Sequence, residues 1–229
     1  MSGVESFLAG QSLASRMAYR VMWTIVTGVV RVLTRMRIEG REHIPRTGAF
    51  ILAPVHRSYV DTPIAACVSR RRLRFMGKDS VWKSRPVGWL ASSLGAFPVT
   101  RGSADREAMR RSVAVLEAGE PLVLFPEGER KSGAVVHPLF DGAVYIAVKA
   151  GVPIIPVGIG GSERVMPKGA RFPIPRKVHV IIGPPIQPPT AELGRLARSA
   201  VKDTSAVLHA ELQRLFDAAQ RRVGQPVRD

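Results

Sequence analysis

A histidine and an aspartate, His56 and Asp61, stand with four residues between them in the stretch Ala53-Pro54-Val55-His56-Arg57-Ser58-Tyr59-Val60-Asp61-Thr62-Pro63. An imidazole changes charge near neutral pH and can take the proton of a hydroxyl. A carboxylate on its other nitrogen fixes the tautomer and stabilises the imidazolium that forms. Two such residues on a straight strand would be held apart. Here the stretch leaves an apolar run, Ala49 to Ala53, and enters a helix start marked by Asp61 and Pro63, so the intervening loop can turn Asp61 back toward His56. The spacing permits the pair without requiring it: a histidine beside a loop is often structural, and Asp61 is also a natural helix N-cap.

Missing patterns narrow the chemistry. Gly160-Gly161-Ser162-Glu163-Arg164 lacks the closing glycine of a nucleophile elbow. The chain has no phosphate-binding G-x-x-x-x-G-K-[ST] loop, no complete dinucleotide fingerprint at Gly158, and no H-E-x-x-H pair among its five histidines. With a histidine base and no evident nucleophile of the protein's own, the nucleophile is a hydroxyl on the substrate. Two further stretches offer charged groups after strand-like runs. Phe125-Pro126-Glu127-Gly128-Glu129-Arg130-Lys131-Ser132-Gly133 gathers carboxylates, a flexible glycine and the planar donor fork of Arg130. Val99-Thr100-Arg101-Gly102 places Arg101 after another apolar run. Either is also readable as an ordinary charged turn.

Composition bounds the partners. The chain has 229 residues, 45% of them hydrophobic, which suits one α/β domain. Thirty-four Lys and Arg against 18 Asp and Glu give a formal net charge of +16, a surface that attracts phosphate. Aromatic residues make up only 6% and do not interleave with the basic ones, so a base-stacking surface is not expected and nucleic acid is not the expected partner. Cys67 is the only cysteine. It excludes an intrachain disulfide and a multi-cysteine metal site, fits a reducing cytoplasmic setting, and reads as a packing residue.

Around the His56 stretch, strand and helix patterns alternate. Strands are expected at Ala49 to Ala53, Leu73 to Gly77, Ala96 to Val99, Pro121 to Phe125, Ile154 to Ile159 and Val178 to Ile182. Helices are expected from Asp61 to about Ser69, Pro86 to Leu94, a Ser103 cap to about Glu117, Leu139 to Lys149, and a Thr190 cap to near Gly224. Gly40 reads as a hinge. The alternation predicts an α/β fold with an open, largely parallel sheet flanked by helices.

The N-terminal stretch is uncharged only from Val21 to Val30, about half of the roughly 20 residues that a spanning helix needs. On a helical wheel Arg16, Arg20, Thr24, Thr27, Arg31, Thr34 and Arg35 fall on one side, and Met22, Ile25, Val26, Val29, Leu33 and Met36 on the other. An apolar face bordered by arginine suits an interfacial helix on anionic lipid, and it equally suits packing on the protein's own core. Residues 1–37 are therefore expected to form an amphipathic membrane-associating segment, and residues 38–229 the α/β domain.

Four blocks together resemble the glycerophospholipid acyltransferases of the lysophosphatidic acid acyltransferase type. That family carries H-x-x-x-x-D, a Gly-x-x-x-x-Arg block, a Pro-Glu-Gly-Thr-Arg block and a later Val-Pro-Ile-x-Pro block. Here they read His56 to Asp61, Gly95-Ala96-Phe97-Pro98-Val99-Thr100-Arg101, Pro126-Glu127-Gly128-Glu129-Arg130 and Val152-Pro153-Ile154-Ile155-Pro156, in the same order. Lys78 and the Pro86-x-Gly88-Trp89 run resemble what precedes the arginine block. Two positions depart from the pattern: Glu129 stands for the usual Thr, and Val55 for the Asn that often precedes the His.

The resemblance implies that His56 deprotonates a glycerol hydroxyl, that Asp61 orients His56, and that the hydroxyl attacks an acyl thioester, acyl-CoA or acyl carrier protein, without an acyl-enzyme. Arg101, Arg130 and Lys78 would hold the acceptor's phosphate, and Glu127 and Gly128 would shape its site. The implied acceptor is a lysophospholipid, 1-acylglycerol-3-phosphate first, with glycerol 3-phosphate or another lysolipid as alternatives. No metal and no cofactor beyond the donor are implied. The expected location is peripheral or monotopic on the cytoplasmic face of the membrane. From composition alone, a basic adaptor for membranes or nucleic acid without catalysis is the competing reading.

Overall fold

In the computed structural model of the chain, the described residues are 13–99, 106–167, 169–189 and 197–228. Among them the order is α1 (Leu13–Thr34), β1 (Arg37–Glu39), β2 (Ile51–Pro54), α2 (Asp61–Ala66), β3 (Arg74–Lys78), α3 (Arg85–Ser93), β4 (Ala96–Val99), α4 (Arg106–Glu117), β5 (Leu122–Val123), α5 (Gly142–Ala150), β6 (Ile154–Gly160), α6 (Ser162–Val165), β7 (His179–Ile182) and α7 (Arg198–Arg222). The strands form one seven-stranded sheet in the order β1-β7-β6-β2-β5-β3-β4. All neighbours are parallel except β6 and β7, which pair antiparallel. The largely parallel α/β sheet expected from the alternation is therefore present.

The central strands β2 and β6 are buried along their whole length, as continuous apolar runs covered on both faces must be. On one face α7 lays Leu208, Leu212, Leu215, Phe216 and Ala219 inward, a stripe at helical spacing. It lies directly on the strand backbone: a Cβ added at Gly158 would come 2.4 Å from the Leu215 carbonyl carbon, and one at Gly160 2.3 Å from that of Ala219. Glycine at these positions lets helix and strand approach to contact.

Several expectations shift. β1 falls where the sequence showed only a hinge, because a three-residue edge strand, exposed at both ends, carries no readable pattern. Gly40 does turn the chain at φ 79°, with no room for a side chain against the Ile182 carbonyl. Helix α2 stops at Ala66 rather than Ser69. Cys67 and Val68 bond back to Ile64 and Ala65 instead, and the Arg41 guanidinium takes up the Val68 and Cys67 carbonyls at 3.1 and 3.2 Å. The caps at Ser103 and Thr190 lie outside the described residues.

The largest correction concerns α1. The wheel placed Thr27 and Thr34 on the side with the arginines, yet both are buried, each donating its hydroxyl to a carbonyl of its own helix. A hydroxyl satisfied by its own backbone behaves as a compact, nearly apolar surface, which residue-type hydropathy does not register. Val30 joins them in the core, and Trp23 donates its indole N–H to the Ala66 carbonyl at 3.0 Å. Leu13, Met17, Val21, Ile25, Val29 and Val32 consequently point outward, each more than half exposed. No helix among the described residues is long and apolar enough to cross a membrane.

Candidate active site

Parallel strands bring their C-terminal ends to one edge of the sheet, where the loops after them meet. β2 delivers His56 there and β5 delivers the Pro126–Lys131 turn. The two turns are stitched together: the Lys131 N–H donates to the His56 carbonyl at 2.9 Å, and the His56 N–H donates to Glu127 Oε2 at 3.1 Å.

His56 and Asp61 meet, with Nδ1 3.0 Å from Asp61 Oδ2. Asp61 is fully buried, whereas the His56 side chain is 15% exposed. The same Oδ2 accepts the backbone N–H groups of Arg57 at 2.5 Å and Ser58 at 2.6 Å. Three donors on one oxygen suit a carboxylate with Nδ1 as the protonated nitrogen, which leaves the lone pair on Nε2. Nε2 has no hydrogen-bond partner among the described residues. Asp61 is thus the first residue of α2 and not its cap, since its carboxylate turns back into the preceding loop. Its Oδ1 is buried without a partner. The imidazole lies on the Phe125 ring, centroids 3.9 Å apart and planes 22° from parallel, which fixes its tilt.

Glu127 is 1% exposed and lies buried against the His56 loop, whose backbone N–H it accepts. Its Oε2 accepts the Arg57 guanidinium at 2.7 Å, and its Oε1 accepts the His137 N–H at 3.0 Å. Arg57 spends its other donors on the carbonyls of His56, Gly133 and Val135 and lies 4.8 Å over the Phe216 ring. A buried pair satisfied at this many points is a rigid post beneath the His56 loop. Gly128 adopts φ 71°, and a Cβ there would meet Phe140 at 2.6 Å. Arg130 sits over the Tyr59 ring, with Cζ 3.3 Å from the ring centroid. Glu129 is 69% exposed and pairs with Lys131 at 2.6 Å.

The structure therefore brings together five expected residues, His56, Asp61, Glu127, Gly128 and Arg130. Lys78 is placed as the last residue of β3, paired in register with Val99 of β4. Arg101 lies outside the described residues. Sequence reasoning missed Arg57, Phe125 and Tyr59. A charge directly after His56 with a glutamate in the next block was the available signal for Arg57. An aromatic ending a buried strand was the signal for Phe125. Among the described residues, no three His, Cys, Asp or Glu are grouped to hold a metal ion.

Behind α2 lies an apolar cavity of about 440 Å³ between α1, α2, β3, β4 and α3, walled by Trp23, Thr62, Pro63, Ala66, Trp82 and Ala91. Its α2 wall begins one residue after Asp61. Tyr19 also borders it, and burial pushes its phenol up to about 12 against the opposing pull of the Arg72 guanidinium. The phenol stays protonated and the cavity carries no charge from it. Cys67 packs nearby as expected, with burial raising its thiol to about 11.

Known proteins resemble this chain in sequence and fold. The family model described as Acyltransferase matches residues 35–160, more than half of the chain. The chain is 28% identical to a chloroplastic 1-acyl-sn-glycerol-3-phosphate acyltransferase of Brassica napus over 68% of its own length, but spans only 46% of that relative. It is 28% identical to the 1-acyl-sn-glycerol-3-phosphate acyltransferase of Streptococcus pneumoniae, over 88% of this chain and 76% of the relative. The crystal structure of the 1-acyl-sn-glycerophosphate acyltransferase PlsC from Thermotoga maritima superposes with a TM-score of 0.70 at 26% identity, covering 93% of this chain and 86% of that one. The His56 loop, the Glu127 turn and six of the seven strands fall wholly within the matched segment, and the chain belongs to the acyltransferase family.

Proposed function

We propose that the chain transfers a fatty acyl group from an acyl thioester, acyl-CoA or acyl carrier protein, to the free hydroxyl of 1-acylglycerol-3-phosphate, giving phosphatidic acid. The observation that carries this reading is the His56–Asp61 pair, with Nε2 free at the sheet edge and α2 separating it from an apolar cavity. His56 Nε2 takes the hydroxyl proton as the oxygen attacks the thioester carbonyl carbon. The tetrahedral intermediate then collapses, the C–S bond breaks, and the imidazolium returns the proton to the leaving thiolate. Asp61 stabilises the imidazolium throughout, and no acyl-enzyme forms. The similarity to enzymes named for this acceptor supports the choice of lysophospholipid.

Arg130, with Arg101 and Lys78, holds the acceptor phosphate, and Glu127 and Gly128 set the shape of the loop that faces it. The cavity behind α2 receives an acyl chain; 440 Å³ lies within the usual range of small-molecule pockets. The outward apolar ridge of α1 rests in the interface of a membrane, which keeps both lipid substrates at the sheet edge and makes the protein peripheral or monotopic, on the cytoplasmic face. Glu129 favours a second acceptor reading, another lysolipid, because it brings a paired carboxylate to the turn that carries Arg130.

Incubation of the full chain with 1-acylglycerol-3-phosphate and a mixed acyl-CoA pool, read by mass spectrometry, is expected to yield phosphatidic acid. The His56→Ala variant is expected to stay folded and lose turnover. Turnover retained in His56→Ala, or thioester cleavage that proceeds equally without an alcohol, overturns the assignment. An acceptor panel separates the two lysolipid readings.

A further inference from the structure

A second cavity, of about 190 Å³, lies apart from the His56 site and is lined by Arg35, Arg164, Arg176 and Lys177, with Gly161 and Gln225 among its other walls. These cations come from three segments that fold together: the residue after α1, helix α6, and the chain entering β7. Their backbones are pinned. The N–H of Arg176 donates to the Leu33 carbonyl at 3.2 Å and that of Val178 to the Thr34 carbonyl at 3.0 Å, tying the third segment to the end of α1. Gly161 donates its N–H to Gln220 at 2.8 Å, and a Cβ on it would come 2.5 Å from the Lys177 carbonyl oxygen, so the wall closes only over glycine.

Seven Lys and Arg side chains elsewhere among the described residues are held in ion pairs: Arg57, Arg74, Arg110, Arg111, Lys131, Arg214 and Arg222 each face a carboxylate. None of the ion pairs among the described residues uses Arg35, Arg164, Arg176 or Lys177. Two acids on adjoining elements are committed elsewhere: Glu163 Oε2 accepts the Gly133 N–H, and Glu39 is shared between His179 and Arg222. Four like charges converging on one hollow repel one another until an anion enters, and arginine forks favour a phosphate oxygen over a halide.

The surroundings point to a phosphate borne by a lipid. β6 pairs with β7 through Gly160 and His179, and β1 pairs with β7 through Arg37 and His179, so the cavity opens at the same edge of the sheet as His56. α6 links the two places, since Met166 at its end accepts the Ser58 hydroxyl of the His56 loop at 2.9 Å. In the segment leading to Arg176, Phe172 is 79% exposed and Ile174 46% exposed, and Ile174 donates its N–H to the Val165 carbonyl, next to Arg164, at 2.7 Å. A basic hollow whose lining segment also carries protruding apolar side chains matches a headgroup phosphate with acyl chains beside it.

We infer that the Arg35–Arg164–Arg176–Lys177 cavity binds the phosphate of an anionic membrane lipid, separately from the acceptor's phosphate, and so fixes which edge of the sheet faces the bilayer. The inference rests on the membrane reading of α1, and the test distinguishes the two. The full chain is sedimented with phosphatidylcholine vesicles, with and without phosphatidylglycerol, which is neither acceptor nor product. Binding to the neutral vesicles measures the apolar ridge, and the gain on adding phosphatidylglycerol measures the cavity.

Arg164→Gln/Arg176→Gln is expected to lower that gain roughly 25-fold, about fivefold for each cation. Arg46→Gln/Lys149→Gln removes the same charge from the opposite edge and is expected to leave the gain within about twofold. Equal loss in both variants, or loss in neither, overturns the cavity even if neutral vesicles bind. Stabilisation by inorganic phosphate that is lost in Arg164→Gln/Arg176→Gln, with vesicle binding unchanged, assigns the hollow to a free anion and overturns the lipid. A gain seen equally with duplex DNA overturns it as well.

Discussion

Asp61→Asn separates the two tasks of one buried carboxylate. Oδ2 receives Nδ1 of His56 and the N–H groups of Arg57 and Ser58, while Oδ1 has no partner. The asparagine must therefore place its oxygen at Oδ2 and its NH₂ at Oδ1, where a buried donor goes unmet at a cost of about 1–3 kcal/mol. For a domain of this size that lowers Tm by roughly 2–12 °C. The catalytic loss is larger. A carboxylate and an imidazolium with charge centres about 4 Å apart attract by about 4 kcal/mol at an effective dielectric of about 20, and this term exists only once the proton has moved to His56. Its removal predicts a fall in kcat of roughly 10³-fold. KM for the acceptor should change little, because Asp61 is fully buried behind His56. The assay is steady-state acyl transfer well below the variant's melting temperature, with circular dichroism on the same samples. A folded Asp61→Asn that retains kcat within about tenfold refutes the derivation.

Glu127→Gln leaves the 1%-exposed Arg57 guanidinium without a counter-charge, which predicts about 3–5 kcal/mol of destabilisation and a Tm drop of roughly 6–20 °C by calorimetry; an unchanged Tm would show that the pair is not a structural post. Ala91→Phe pushes a ring into the apolar cavity behind α2. Each methylene excluded forfeits about 0.8 kcal/mol, so kcat/KM should fall selectively for long acyl donors, roughly 15-fold for two methylenes; a uniform fall across chain lengths counts against the cavity as the acyl site. The Cys67 thiol, raised from 9.0 to about 11 by burial, favours the fold while protonated. Its contribution is complete below pH 9 and is lost as pH rises toward about 11, at most about 2–3 kcal/mol. Cys67→Ala should flatten that alkaline limb in urea titrations, and an identical limb in the variant removes the thiol as its cause.

How much of this was legible in the sequence depended on whether a property belongs to one segment or to the meeting of two. β2 and β6 announced themselves because strands buried on both faces must be apolar throughout, and six runs in alternation with helices left a parallel sheet as the economical arrangement. The His56–Asp61 pair was legible for a similar reason: both residues belong to one loop, so spacing constrained their distance. Arg57 with Glu127 joins two strands' loops 70 residues apart, and no local pattern encodes that contact. α1 shows the limit most clearly. Its burial is set by what α2 and α3 offer it, so Thr27 and Thr34 went inward with their hydroxyls turned onto their own helix, and Ile25 and Val29 went outward. Periodicity reported that the helix has two faces, and only the docking of Trp23 on Ala66 decided which of them meets the protein. Because that choice leaves six large apolar residues on the outer face, the ridge is a consequence of internal packing and cannot be removed by repacking the core. A polar replacement at Ile25 or Val29 should therefore alter association with vesicles while leaving the stability of the α1–α2 contact intact.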